Sequence, residues 1–395
     1  MDLEADTSGA AADAGSTSAA QGLTREDFDE TLYFLDHSEM AALQTEVEIE
    51  MERDLRRDVL SALFDRLEEP ERAKRQAEIL DILDQLMPLF LSRGEMESAA
   101  RILEELDRLG APEGVLDAEL RDRVERLFGR LSDPEVLEQF VQAIEDGAVA
   151  PESEHVNLFF SRLHPKALPV LIRFAEMAED PAVRARLSSA IDGLATRYPS
   201  EVTKLLESDE PAVVRGAARV AGRVALSQTV AALGKALSHG DREVRLAVVE
   251  SLVAIRLTPA LTALGNALDD SDRDVRISAA RGLGAVRFAS ARERLGACLD
   301  GKRLRDADLT EKMAFYEAYG AVGGNEAVER LDQMLNKKGF MGRRPGTEER
   351  ACAALGLAQS STGAARAALE RAKNDDDPVV RNAVLRALKP EERGR

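Results

Sequence analysis

Apolar residues recur at steps of three and four along most of this 395-residue chain, with polar residues between them. That period belongs to helices that bury one side. Thr24 and Asp27 form a helix-start pair, and Phe28, Leu32 and Leu35 then share a face. From 38 to 69, Leu43, Val47, Met51, Leu55, Val59 and Leu63 step by four, which predicts one long helix ended by Pro70. The segments AKRQAEILDILDQLMPLFLSRG and EMESAARILEELDRLG predict a hairpin around Gly94. From about 115 onward, moderate helical segments alternate with the turns LSDPEV, HPKALP, EDPAVR, RYPSEV and SDEPAVV. No stretch alternates with period two, so the predicted fold class is all-α.

One phrase repeats. Asp-x-x-Val-Arg occurs as DPAVR at 180–184, DREVR at 241–245, DRDVR at 272–276 and DPVVR at 377–381. A stretched form, EPAVVR, occupies 210–215. Gly284, Gly320 and Gly356 sit in echoing segments spaced by 36 and 36, adding two units with longer loops. Recurrence at 30–36 residues signals an array of stacked hairpins, none able to bury its apolar stripe alone. The phrase reads as the start of each second helix. Asp180, Asp241, Asp272 and Asp377 would cap it, Pro181 and Pro378 suit its first turn, and Val begins the buried stripe. Arg184, Arg245, Arg276 and Arg381 would reach the Asp of their own or a neighbouring turn, and Ala279 and Ala280 would admit the next helix closely.

These residues resemble HEAT repeats, in particular the bacterial phycobilin-lyase HEAT-like type, whose hallmark is D-x-x-V-R-x-x-A-a-x-x-L-G. DRDVRISAARGLGAV matches nearly every position. The resemblance covers roughly 165–390, with 115–165 degenerate, and implies a right-handed, armadillo-like α-solenoid. Departures are Val214 where Arg is expected, then Lys312 and Glu348 in later units, which are expected to lack the Asp–Arg link. The hairpin around Gly94, with Ala99 five residues on, resembles a single tetratricopeptide unit.

Charge divides the chain. Residues 1–150 hold 38 acidic and 15 basic residues, a balance of −23, and residues 151–395 hold 34 and 38, a balance of +4. The sum is −19. Such a field disfavours nucleic acid and anionic lipid as partners and favours a basic protein surface. The stretch 1–22 lacks periodicity and any apolar core segment, which predicts a disordered tail without a secretion or anchoring signal. With no long apolar run and only Cys298 and Cys352, the expectation is a cytoplasmic protein with free thiols.

Candidate chemistry is sparse. His37, His155, His164 and His239 make no H-E-x-x-H arrangement, and two cysteines 54 residues apart do not suit zinc, so no metal or cofactor is expected. There is no phosphate-binding Gly-rich Lys loop, and no catalytic residues are assigned. The segment LNKKGFMGRRPGTEER at 335–350 breaks the repeat with Lys337, Lys338, Arg343 and Arg344 around Phe340 and Met341, which suits contact with an acidic, partly apolar protein surface. Lys302, Arg303 and Arg305 lie nearby in sequence.

The domain reading is a tail at 1–22, an acidic helical module at 23–114 and a HEAT-like array at 115–390. The functional reading is a non-enzymatic protein–protein scaffold that uses the solenoid surface and the basic loop. Arg219, Glu250 and Arg281 on the second helices would line the concave side. The alternative is a bilin-lyase-like enzyme or subunit with the trough as pocket. The acidic N-terminal helices offer a surface for self-association, and the identity of any partner is not written in the sequence.

Overall fold

A computed structural model describes residues 37–52, 54–69, 72–336 and 345–389. The expected tail, the pair Thr24 and Asp27, and the stripe of Phe28, Leu32 and Leu35 lie outside the described residues, as do Lys337, Lys338, Phe340, Met341, Arg343 and Arg344. The chain forms two units, residues 1–61 and 62–395. Among the described residues all regular structure is helical.

The long helix expected over 38–69 is two. Helix α1 spans His37–Glu52 and α2 spans Leu55–Leu67, with Asp54 accepting the Arg56 amide at 3.1 Å as α2 begins. Leu43, Val47, Leu55 and Val59 are exposed. The geometry explains why that stripe is not a buried face. At about 100° per residue, each four-residue step advances about 40° around the helix, so a strict ladder of fours winds off any one side.

In the second unit, α3 (Ala73–Ser92) and α4 (Met96–Gly110) form the hairpin expected around Gly94. Gly94 has φ +73°, and an added Cβ would lie 2.5 Å from the Ala148 carbonyl oxygen, so only glycine fits this turn. Helices α5 (Ala118–Arg130), α6 (Pro134–Glu145) and α7 (Glu154–Ser161) follow. Phe140, Phe159 and Phe160 meet there at ring separations of 4.3 to 5.7 Å, an aromatic cluster in a chain with few aromatics.

The array then becomes regular. Short first helices are α8 (Leu168–Met177), α10 (Pro199–Leu205), α12 (Val230–Ala236) and α14 (Thr258–Leu264). They alternate with the second helices α9 (Pro181–Arg197), α11 (Pro211–Arg223), α13 (Arg242–Ile255) and α15 (Arg273–Ala285). Next come α16 (Arg292–Asp300), the short α17 (Lys302–Arg305), α18 (Leu309–Val322), α19 (Gly324–Asn336), α20 (Thr347–Ala358), α21 (Gly363–Arg371) and α22 (Pro378–Leu388). Second helices stack in order, α11 on α13, α15, α18, α20 and α22, so the second unit is an all-α solenoid with one continuous interior.

Small residues permit that stacking. A Cβ on Gly320 would strike the Gly356 carbonyl, one on Gly356 would sit 2.6 Å from the Tyr316 oxygen, and one on Gly284 2.9 Å from the Ala318 Cα. The echo of these three glycines in the sequence is therefore a stacking seam. Ala279 and Ala280 are likewise fully buried. At the far ends of α11, α13 and α15, Ala225, Arg256 and Arg287 adopt φ of 53°, 56° and 51°, a left-handed residue every 31 positions.

Candidate functional site

The second helix of each hairpin carries the chemistry, and its start fixes the rest. Asp180, Asp241, Asp272 and Asp377 are the caps of α9, α13, α15 and α22, each accepting backbone amides. Asp241, for example, accepts from Glu243 at 2.7 Å and Val244 at 3.2 Å. Those bonds satisfy amides that the first turn cannot. The sequence reading missed a fifth cap of this kind, Asp308 on α18. It also missed a brace two residues upstream: Ser208, His239, Asp270 and Asp375 each accept the amide of the cap residue through the side chain.

The arginines meet the expectation in part, Arg245 reaching an Asp of the neighbouring turn. Each sends Nη to the carbonyl six residues back: Arg184 to Ala178 at 2.5 Å, Arg245 to His239 at 2.9 Å, Arg276 to Asp270 at 2.8 Å and Arg381 to Asp375 at 2.7 Å. This closes the turn within the hairpin. The remaining nitrogens of two of them cross to the next repeat. Arg245 chelates Asp270 at 2.9 and 3.0 Å, and Arg276 chelates Glu311 at 2.6 and 2.9 Å. Neither carboxylate is a capping one: the caps of these helices are Asp272 and Asp308.

Two expected departures from the pattern are corrected. Lys312 does not break the link: its Nζ lies 2.7 Å from Glu348 of the next repeat. Nor does the following unit lack its arginine. Its helix starts at Gly346, so the position four residues on is Arg350 rather than Glu348. Arg350 is buried and pairs with Asp375. Only Val214 departs as read, being buried four residues after Glu210, while Arg215 beside it pairs with Glu176 at 2.8 Å. The buried cations thus run Arg245, Arg276, Lys312, Arg350, each tied forward by one repeat.

The outward face of the second helices is a separate surface. Arg219, Glu250 and Arg281 are exposed there, and Glu317 is half-exposed. Each stands nine residues after its helix-start residue, at 210, 241, 272 and 308. Arg219 reaches Glu176 at 2.5 Å. Toward the C-terminal end this face holds a groove of about 720 Å³ between α18 and α22. A smaller one of about 220 Å³ lies beside Arg281. Of the other basic cluster, Lys302, Arg303 and Arg305 are exposed on α17, with Arg303 donating to the Asp269 carbonyl at 2.8 Å.

The histidines and cysteines do not assemble. Among the described residues no group of three metal-ligating side chains exists. Cys352 is fully buried, and burial pushes its thiol up to about 12. Among the same residues, no helix is long and apolar enough to cross a membrane.

Comparison with known proteins gives many matching solved structures and a family model. No curated protein matches the chain. It is similar to the crystal structure of an engineered protein from a structural genomics consortium, at 18% identity and a TM-score of 0.33, over 83% of this chain and 97% of that one. Residues 199–284, from the start of α10 into α15, match the family model of HEAT repeats.

Proposed function

We propose that this chain is a non-enzymatic cytoplasmic scaffold of HEAT-like hairpins, of the phycobilin-lyase repeat type, which holds a protein partner on the outward face of its second helices. The array would run over 115–390 behind an acidic helical module at 23–114. One observation carries the reading: Arg219, Glu250, Arg281 and Glu317 present alternating charges at one equivalent position on successive stacked helices. Rigid stacking holds such side chains in register, so several weak contacts add on one surface without further ordering cost. The basic loop with Lys337, Lys338, Phe340, Met341, Arg343 and Arg344 belongs to this reading as a second contact, supported by its composition.

The test places a photo-reactive benzoylphenylalanine at Glu250 or Arg281, and at Glu293 on a first helix as the opposite case. A specific adduct from the second-helix positions alone supports the scaffold. The same adduct from Glu293, or none from either face, sinks it. Replacing Phe340, Arg343 and Arg344 by Ala should weaken the adduct, and undiminished capture removes the loop from the surface.

A further inference from the structure

The two grooves on the second-helix face adjoin, sharing Glu317 and Gln359. Arg281 and Arg287 border the smaller, and Arg366, Arg386 and Lys389 the larger. Glu317 is the sole acidic side chain lining either. The four guanidiniums of Arg281, Arg287, Arg366 and Arg386 have no hydrogen-bond or ion-pair partner among the described residues. Elsewhere in the unit Arg215, Arg223, Arg273, Arg294, Arg330 and Arg371 are paired with carboxylates. The lining between them is mixed: Ala318 and Ala321 lie in one groove, and Leu355 and Leu388 lie beside Ser360, Ser361 and Thr362 in the other.

Resting on the scaffold reading, we propose that these grooves bind an acidic polypeptide segment carrying interspersed aliphatic side chains. Unpaired guanidiniums beside aliphatic side chains in a mixed lining match that chemistry twice. Carboxylates form charge-assisted, bidentate hydrogen bonds with the rim, and aliphatic groups fill the hollows between helices. The face spans α15, α18, α20 and α22, stacked in that order. Three interhelical spacings of about 9 Å make roughly 27 Å. An extended segment of about eight residues covers that length. A nucleic acid fits less well: the grooves offer no aromatic side chain for base stacking, and the chain's net charge of −19 repels a long polyanion.

The experiment uses the full-length chain and a fluorescein-labelled ten-residue peptide alternating Asp or Glu with Leu, read by fluorescence anisotropy. Saturable binding is expected, weakening with added salt, and at least tenfold weaker for the double variant Arg281→Glu with Arg386→Glu. Among the described residues neither side chain bonds elsewhere, so melting temperature should not change. Arg126→Glu with Lys302→Glu alters net charge equally, away from the grooves, and should bind like the wild type. No saturable binding, an equal loss in that control, or displacement of the peptide by a ten-nucleotide thymidine strand overturns the proposal. Photo-capture through Arg281 by a chain that ignores the peptide leaves the scaffold standing and removes the acidic class. Failure of both experiments removes both readings.

Discussion

Arg276 and Glu311 form a bidentate ion pair at 2.6 and 2.9 Å across the junction between two repeats, with their side chains only 10% and 3% exposed. The same guanidinium donates to the carbonyls of Asp270 and Ser271. One side chain therefore closes its own hairpin and fastens the next. Such a pair is weak evidence of net stabilisation, since both charges had to leave water. Removing one partner leaves the other buried and uncompensated, which costs about 3–5 kcal/mol. Arg276→Ala and Glu311→Ala should each lower the unfolding free energy from urea titration by that order, and the double variant should fall well short of their sum. Additive losses would show that the pair is not coupled. Peptide binding at the neighbouring grooves, corrected for the folded fraction, should be unchanged by Arg276→Ala.

The glycine seam makes a second prediction. Gly320→Ala forces a methyl against the Gly356 carbonyl and must part α18 from α20. The expected loss is about 1–3 kcal/mol, the range for overpacking. Gly363→Ala is the counterpart, since nothing lies within 4 Å of its added Cβ, and it should be neutral or slightly stabilising. Thermal melts of the two variants compare seam with surface.

The left-handed residues give a change of opposite sign. Arg256 is exposed and holds φ at 56°, a conformation costing a side-chain-bearing residue about 1–2 kcal/mol. Arg256→Gly removes that strain but adds chain entropy to the unfolded state, about 0.5–1 kcal/mol. A net gain of about 0.5–1 kcal/mol in denaturant unfolding is expected. A loss would mean the arginine side chain is held by something beyond its backbone.

Acid should loosen the array through its caps. The Arg273 guanidinium, 3.0 Å from Asp308 through one nitrogen, holds that carboxyl down to about 2. The Val244 amide lowers Asp241, and the Thr347 hydroxyl lowers Asp377. An aspartate in the unfolded chain titrates near about 3.9. A carboxyl lower in the folded state contributes stability that is present above that value and fades as pH falls toward the folded one. Melting temperature should thus be flat through neutrality and drop between about pH 4 and pH 2. Asp308→Asn should flatten part of that drop. A decline that begins near pH 6 would show that the transition does not belong to these caps.

How much of this was legible follows from the range of each interaction. The caps depend on residues two and three apart, so Asp-x-x-Val-Arg located four of them from sequence, and Asp308 escaped because Lys312 replaces the arginine that marks the phrase. The forward pairs depend on where the next repeat lies. Arg245 selects Asp270 and Arg276 selects Glu311, 25 and 35 residues away, and no fixed spacing distinguishes these acids from others. Arg350 was missed for a related reason: the insertion before α20 moves the helix start to Gly346, which has no side chain to announce a cap. The grooves were invisible, since an unpaired arginine looks like a paired one until its neighbours are placed.

The forward direction of the buried pairs has a consequence for synthesis. Every buried cation from Arg245 to Arg350 takes its counterion from the repeat that leaves the ribosome after it. Across these four hairpins the nascent array therefore ends in one whose positive charge is not yet neutralised. Completion must travel from the N-terminal side to the C-terminal side, one hairpin behind elongation. A chain halted after residue 371 would have formed the seat for Arg350 without Asp375 to close it.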